Sequence, residues 1–122
     1  IPLGNTINMN GTAIMQVVAT LFVAGCAGYD VTFGQLVVVA LLVLIASVGT
    51  PAAPGAGAII LFTILSGLGY VNDSALLAYS LILAINRPIE MLLTALNVVG
   101  DSAASIYVAK SEGMLDETKY NA

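Results

Sequence analysis

Residues 75–101 read ALLAYSLILAINRPIEMLLTALNVVGD. Nearly every position is apolar, yet Asn86, Arg87, Glu90, Thr94 and Asn97 interrupt the run, and Asp101 closes it. From Asn86 the steps to Glu90, Thr94, Asn97 and Asp101 are four, four, three and four residues. That is helical spacing, so these five share one face. A carboxylate at the centre of a membrane-length helix costs about 2.5–3.5 kcal/mol on insertion scales. Side chains kept at such a cost usually face a cavity, an ion or a substrate. The alternative is a polar contact that only joins helices, but five polar residues exceed what one contact needs. Pro88 frees the Ala84 carbonyl and predicts a bend beside Asn86 and Glu90.

Outside this stretch the composition agrees. Of 122 residues, 59% are hydrophobic and 8% charged, with a mean hydropathy of +1.00. Soluble domains carry about 25% charged residues, so this is the composition of a membrane protein. Lys110, Glu112, Asp116, Glu117 and Lys119 gather near the end and mark residues 111–122 as a solvated tail. The two lysines favour a cytoplasmic C-terminus. Three basic residues cannot make a phosphate-binding surface, which excludes nucleic acid as a partner. The single cysteine, Cys26, allows no internal disulfide and reads as a small packing residue among Gly25, Ala24 and Ala27. The chain opens at Ile1 with no basic segment ahead of an apolar one, so no signal peptide is read. It is expected to be the C-terminal piece of something longer.

The opening, Pro2 to Thr12, is rich in Gly, Asn and Thr, which loosen or compete with helical backbone. It abuts the apolar run 13–27. A broken helix over residues 1–28 follows, with unwound carbonyls facing a cavity; an extramembrane loop is the other reading. Asp30, Thr32, Gly34 and Gln35 form a polar connection. Residues 35–70 then hold two short apolar arms around Gly49-Thr50-Pro51-Ala52-Ala53-Pro54-Gly55-Ala56-Gly57. Fifteen residues of helix rise about 22 Å, short of a core about 30 Å thick. Small tip residues let backbone approach backbone or ligand, and they offer little to bulk water. A re-entrant hairpin is expected. After a second polar connection, with Asp73 or Ser74 as cap, a last helix covers residues 75–108. The fold class is all-α and membrane-embedded. There is no histidine and no nucleophile–base pair, zinc spacing or phosphate loop, so no enzyme is expected.

Three motifs now stand in order. Asn8-Met9-Asn10-Gly11-Thr12 resembles the NMDGT motif of the dicarboxylate/amino acid:cation symporters, the glutamate transporter family. The segment from Ser47 to Gly57 resembles that family's second hairpin tip, and Asn97-Val98-Val99-Gly100-Asp101 its NVxGD helix end. The resemblance implies a multi-pass cell-membrane protein, the cytoplasmic membrane in a bacterium. It implies a secondary transporter working by alternating access, with the hairpin as gate, in a homotrimer. This chain would hold the C-terminal half of the transport domain and would need the rest of the transporter chain and the lipid bilayer around it. Sodium ions are the implied coupling ion. Gly4, Asn8, Asn97 and Asp101 match one sodium site, where hard oxygen ligands suit a hard cation. Thr6, Met9, Ser47, Val48 and Thr50 match a second. Thr12, Ala53, Gly57, Glu90, Thr94 and Asn97 match substrate contacts, with Glu90 where an aspartate receives the substrate's amino group. Leu93 stands where acidic-substrate members carry an arginine, and leucine cannot make that charge-assisted bond. Arg87 lies six residues earlier, about 120° round the helix from Leu93, and is not expected to replace it; the resemblance leaves open that the family's first hairpin, absent from this sequence, supplies an arginine, as it does in some relatives. Asn10 and Asn86 stand where members carry aspartates, which implies fewer coupled sodium ions.

The expected function is sodium-coupled symport of a small, neutral amino acid. The alternatives are an acidic amino acid or dicarboxylate, coupled to sodium or protons, and a non-transporting membrane subunit whose polar face is a packing seam.

Overall fold

A computed structural model describes residue 4 and residues 6–120. Positions 1–3 and 5 of the expected broken helix, and positions 121 and 122 of the tail, lie outside them. Among the described residues the structure is all-helical, without strands. It comprises α1 (Asn10–Cys26), α2 (Phe33–Gly49), α3 (Ala56–Leu68), α4 (Asp73–Ser111) and α5 (Glu117–Tyr120). Residues 6–9, ahead of α1, are not helical.

Each boundary has a local cause. At α2 the Thr32 hydroxyl accepts from the Gln35 N–H while the Gln35 side chain accepts from the Thr32 N–H, a reciprocal capping box. Helix α3 stops at Gly69, whose φ of 77° is left-handed and suits glycine. Helix α4 starts two residues before the expected Ala75. Its cap is Asn72, whose side chain accepts from the Ala75 N–H at 2.8 Å, rather than Asp73 or Ser74. The correct cap sits one residue earlier because the cap side chain must reach the third N–H of the helix. From there α4 runs unbroken through Pro88 for 39 residues, about 58 Å. It is the one described helix long and apolar enough to cross a membrane. Helices α1 and α2 have 17 residues each and α3 has 13, about 25 Å and 20 Å.

Helix α1 lies against α4 and also touches α2 and α3. Ala19, Val23 and Ala24 of α1, Leu61 and Leu65 of α3, and Ala75, Ala78 and Ile82 of α4 form the main core with Tyr70. A smaller cluster joins Val39 and Val43 of α2 to Ile64 of α3. Phe33, Ile45, Val48 and Leu92 are more than two-thirds exposed, which suits lipid and not water. In apolar surroundings there would be little drive for apolar burial, and close packing and polar contacts would hold the helices. The small residues at the α1–α4 contact answer that need. Cys26, expected to pack, is instead exposed at the end of α1; Ala24, fully buried two residues earlier, fills that role.

Candidate functional site

Helix α1 and helix α3 share a defect. A helix leaves its first N–H groups without partners unless a side chain just ahead supplies an acceptor. Met9 precedes α1 and Gly55 precedes α3, and neither makes a side-chain cap bond. Both gaps are filled by α4. The Gly11 N–H donates to Asn97 Oδ1 at 2.8 Å. The Gly55 N–H donates to Glu90 Oε1 at 2.6 Å. Glu90 and Asn97 lie seven residues, two turns, apart on one face of α4, so one polar line serves two helix starts. The carboxylate also meets the positive end of α3.

The line is packed closely enough to fix positions. A Cβ on Gly11 would lie 2.6 Å from the Leu93 carbonyl oxygen, so only glycine lets α1 approach α4 there. A Cβ on Gly100 would run into the side-chain amides of Asn8 and Asn10, which places Asn8 beside the turn that carries Asn97 and Asp101. Asn97 further donates through Nδ2 to Thr12 Oγ1 at 3.2 Å and to Met9 Sδ at 3.4 Å.

Between these elements lies a cavity of about 540 Å³. Its walls come from α1 (Thr12), from the connection between α2 and α3 (Thr50 to Pro54) and α3 (Gly57), and from α4 (Glu90, Leu93, Thr94, Asn97 and Asp101). All seven residues matched to substrate contacts therefore line one space: Thr12, Ala53, Gly57, Glu90, Leu93, Thr94 and Asn97. The sodium candidates are dispersed. Met9, Thr50, Asn97 and Asp101 line the cavity, with Asn8 behind Gly100. Gly4 is exposed and Thr6 half-buried. Ser47 is buried but its hydroxyl turns back to the Leu44 carbonyl at 2.9 Å. Val48 is 79% exposed. Thr50 likewise bonds its own helix, at the Ala46 carbonyl. Of the two aspartate-replacing asparagines, Asn86 is buried and Asn10 exposed.

Arg87 differs from expectation. It lines the same cavity, and its Nη1 lies 3.1 Å from Glu90 Oε2. Measured against Leu93 it is on another side of the helix. Measured against Glu90 it is one turn away, about 60° round, and its long side chain closes the gap. Gly55 was also missed as a polar partner because its contribution is a backbone N–H. The signal available in the sequence was negative: two helix starts with no capping side chain. Gln16, fully buried on α1, has neither amide atom bonded to another described residue.

A profile of the sodium:dicarboxylate symporter family matches residues 1–111. The chain is 37% identical over 118 residues to an excitatory amino acid transporter of Onchocerca volvulus, covering 95% of this chain and 23% of that one. It is equally identical over 118 residues to one of Caenorhabditis elegans, covering 95% and 22%. With human excitatory amino acid transporter 2 the identity is 38% over 115 residues, covering 92% and 19%. The chain thus spans about a fifth of the length of these relatives.

Proposed function

This chain belongs to the sodium:dicarboxylate symporter family, and from that premise we propose that it forms the latter half of the transport domain of a sodium-coupled symporter for a small amino acid. The observation that carries the reading is the 2.6 Å bond from the Gly55 N–H to Glu90. It ties the α2–α3 connection to the carboxylate that faces the cavity. In this reading α2 and α3 are the arms of a re-entrant hairpin, each too short to span by itself, and the connection between them is the gate. Glu90 receives the substrate's ammonium group. That exchange trades a neutral donor for a charged one, which strengthens the bond and alters the hold on the tip. Asn97 and Asp101, with Asn8 behind them, offer hard oxygens to sodium near the substrate; Met9, Thr50 and backbone carbonyls near Thr6, Ser47 and Val48 offer a second place. The alternating access, the cell membrane location and the homotrimer belong to the same proposal.

Two wall residues speak to the substrate's charge. Leu93 supports a neutral amino acid. Arg87 supports the second reading, an acidic one, and the name that the relatives carry agrees with it. A packing-seam subunit remains as a contrast.

Uptake of radiolabelled serine and aspartate by the complete protein in liposomes, with and without an inward sodium gradient, tests the proposal. Sodium-dependent uptake of either is expected, and Glu90→Gln should abolish it while leaving the protein folded. Glutamine keeps an acceptor for the Gly55 N–H but has no charge for an ammonium. Uptake of neither substrate by the unaltered protein would sink the symport reading. Unchanged uptake in Glu90→Gln would remove Glu90 from the substrate site.

A further inference from the structure

We infer that Arg87 receives the side-chain carboxylate of the substrate and thereby sets which amino acids the cavity accepts; the inference rests on the symport reading above. Among the described residues lining the cavity, Arg87 is the one cation, against Glu90 and Asp101. Its one recorded bond is to Glu90 Oε2 at 3.1 Å. The side chain is 69% exposed, against 23% for Glu90. A guanidinium presents five N–H donors in a planar fork that matches a carboxylate, so one bond to Glu90 leaves donors for a second anion. Ion pairs this exposed contribute little to holding a side chain in place. Arg87 is therefore free to turn from Glu90 to an incoming carboxylate at small cost.

Direction on the helix decides which carboxylate. An amino acid anchored by its ammonium at Glu90 has polar wall on both sides. Thr94, Asn97 and Asp101 lie C-terminal of Glu90, and Arg87 lies one turn N-terminal. On the C-terminal side the Thr94 hydroxyl and the Asn97 amide stand in the cavity wall, polar groups that would meet the α-carboxylate. A second full negative charge needs a cation of its own, since burying it unpaired is costly, and Arg87 is where one stands. Leu93 and Met91, in the same wall, cannot compete for it.

The test is the same liposome uptake with Arg87→Gln and Arg87→Lys, read as apparent affinity for aspartate and for serine. The unaltered protein is expected to take up aspartate. Arg87→Gln should weaken aspartate at least about tenfold, as loss of a charged hydrogen-bond partner does, and leave serine within about twofold. Arg87→Lys should restore part of the aspartate affinity, because lysine keeps the charge but not the fork. An unchanged aspartate-to-serine ratio in Arg87→Gln would overturn the inference. So would equal loss of both substrates, which marks a structural role. Serine uptake without aspartate uptake in the unaltered protein overturns it while leaving the symport reading standing. Uptake of neither defeats that reading itself.

Discussion

The two ends of the α1–α4 pair are held by different forces. At one end Val23 and Ala24 of α1 meet Ala75 and Ala78 of α4, with Leu61 and Leu65 of α3 beside them, all 3% exposed or less. Tyr29 and Tyr70 stack there with ring centroids 4.4 Å apart, and the Asn72 side chain donates to the Ala27 carbonyl. At the other end the same two helices meet through Asn97, Thr12 and Met9, next to the open cavity. The first end offers a ligand nothing to exchange. The second is held by hydrogen bonds, and a hydrogen bond can pass from a protein partner to a substrate or an ion with little net change. One helix pair thus combines a fixed end with an exchangeable one.

The comparison can be broken most severely at Gly11. Gly11→Val puts new carbon against the Leu93 backbone, which cannot swing away as a side chain would. Overpacking usually costs about 1–3 kcal/mol, and the upper end or more is expected here. Thermal unfolding in detergent should show a large drop in Tm or no folded protein. An unchanged Tm would mean that α1 and α4 do not approach so closely.

Asn97→Ala should cost about 1–3 kcal/mol, because it leaves the Gly11 N–H without its acceptor in a tight interface. Its Tm should fall by less than that of Gly11→Val, and uptake should fall with it. A neutral result on both counts would show that the polar end is not held by Asn97.

Tyr70→Phe sharpens the contrast from the other side. The Tyr70 hydroxyl is buried with no partner among the described residues, while its ring stacks on Tyr29. Removing the oxygen should leave Tm unchanged or raise it by the equivalent of up to about 1 kcal/mol. A clear loss would mean that the apolar end depends on a polar contact after all.

The smallest effect belongs to the tail. The Thr118 hydroxyl and the N–H groups of Thr118 and Lys119 bond Asp116, and the hydroxyl first of all holds its carboxyl below the usual carboxylate value. A lowered value in the folded state means that the ionised form supports α5 above the ordinary carboxylate range, and that support is lost as pH falls through the lowered value. The protection of amides 117–120, judged against the intrinsic exchange rate at the same pH, should fall on acidification, with both ends of the α1–α4 pair unaffected by this group. Protection at 117–120 that stays constant as pH falls would remove the Asp116 cap.

Much of this was legible from residue type and spacing. The four-four-three-four line in α4 placed Glu90, Thr94, Asn97 and Asp101 on the cavity wall, and the motifs identified the family. Local signals erred by a residue or two where several caps compete, as Asn72, Asp73 and Ser74 do. Cys26 was misread because composition around it resembles a packing stretch, while the helix turn that faces the core belongs to Val23 and Ala24.

The sequence by itself determined that the chain is helical, that α4 is long, apolar and polar on one face, and which family it belongs to, because periodicity and motif are properties of order along the chain. Only the tertiary structure decided what the polar face does. That Glu90 caps the start of α3, that Asn97 caps α1 from 86 residues away, and that Arg87 shares a cavity with Glu90 all depend on where other backbones lie. A backbone N–H has no signature in residue type, and the reach of a long side chain depends on the neighbour it is measured against.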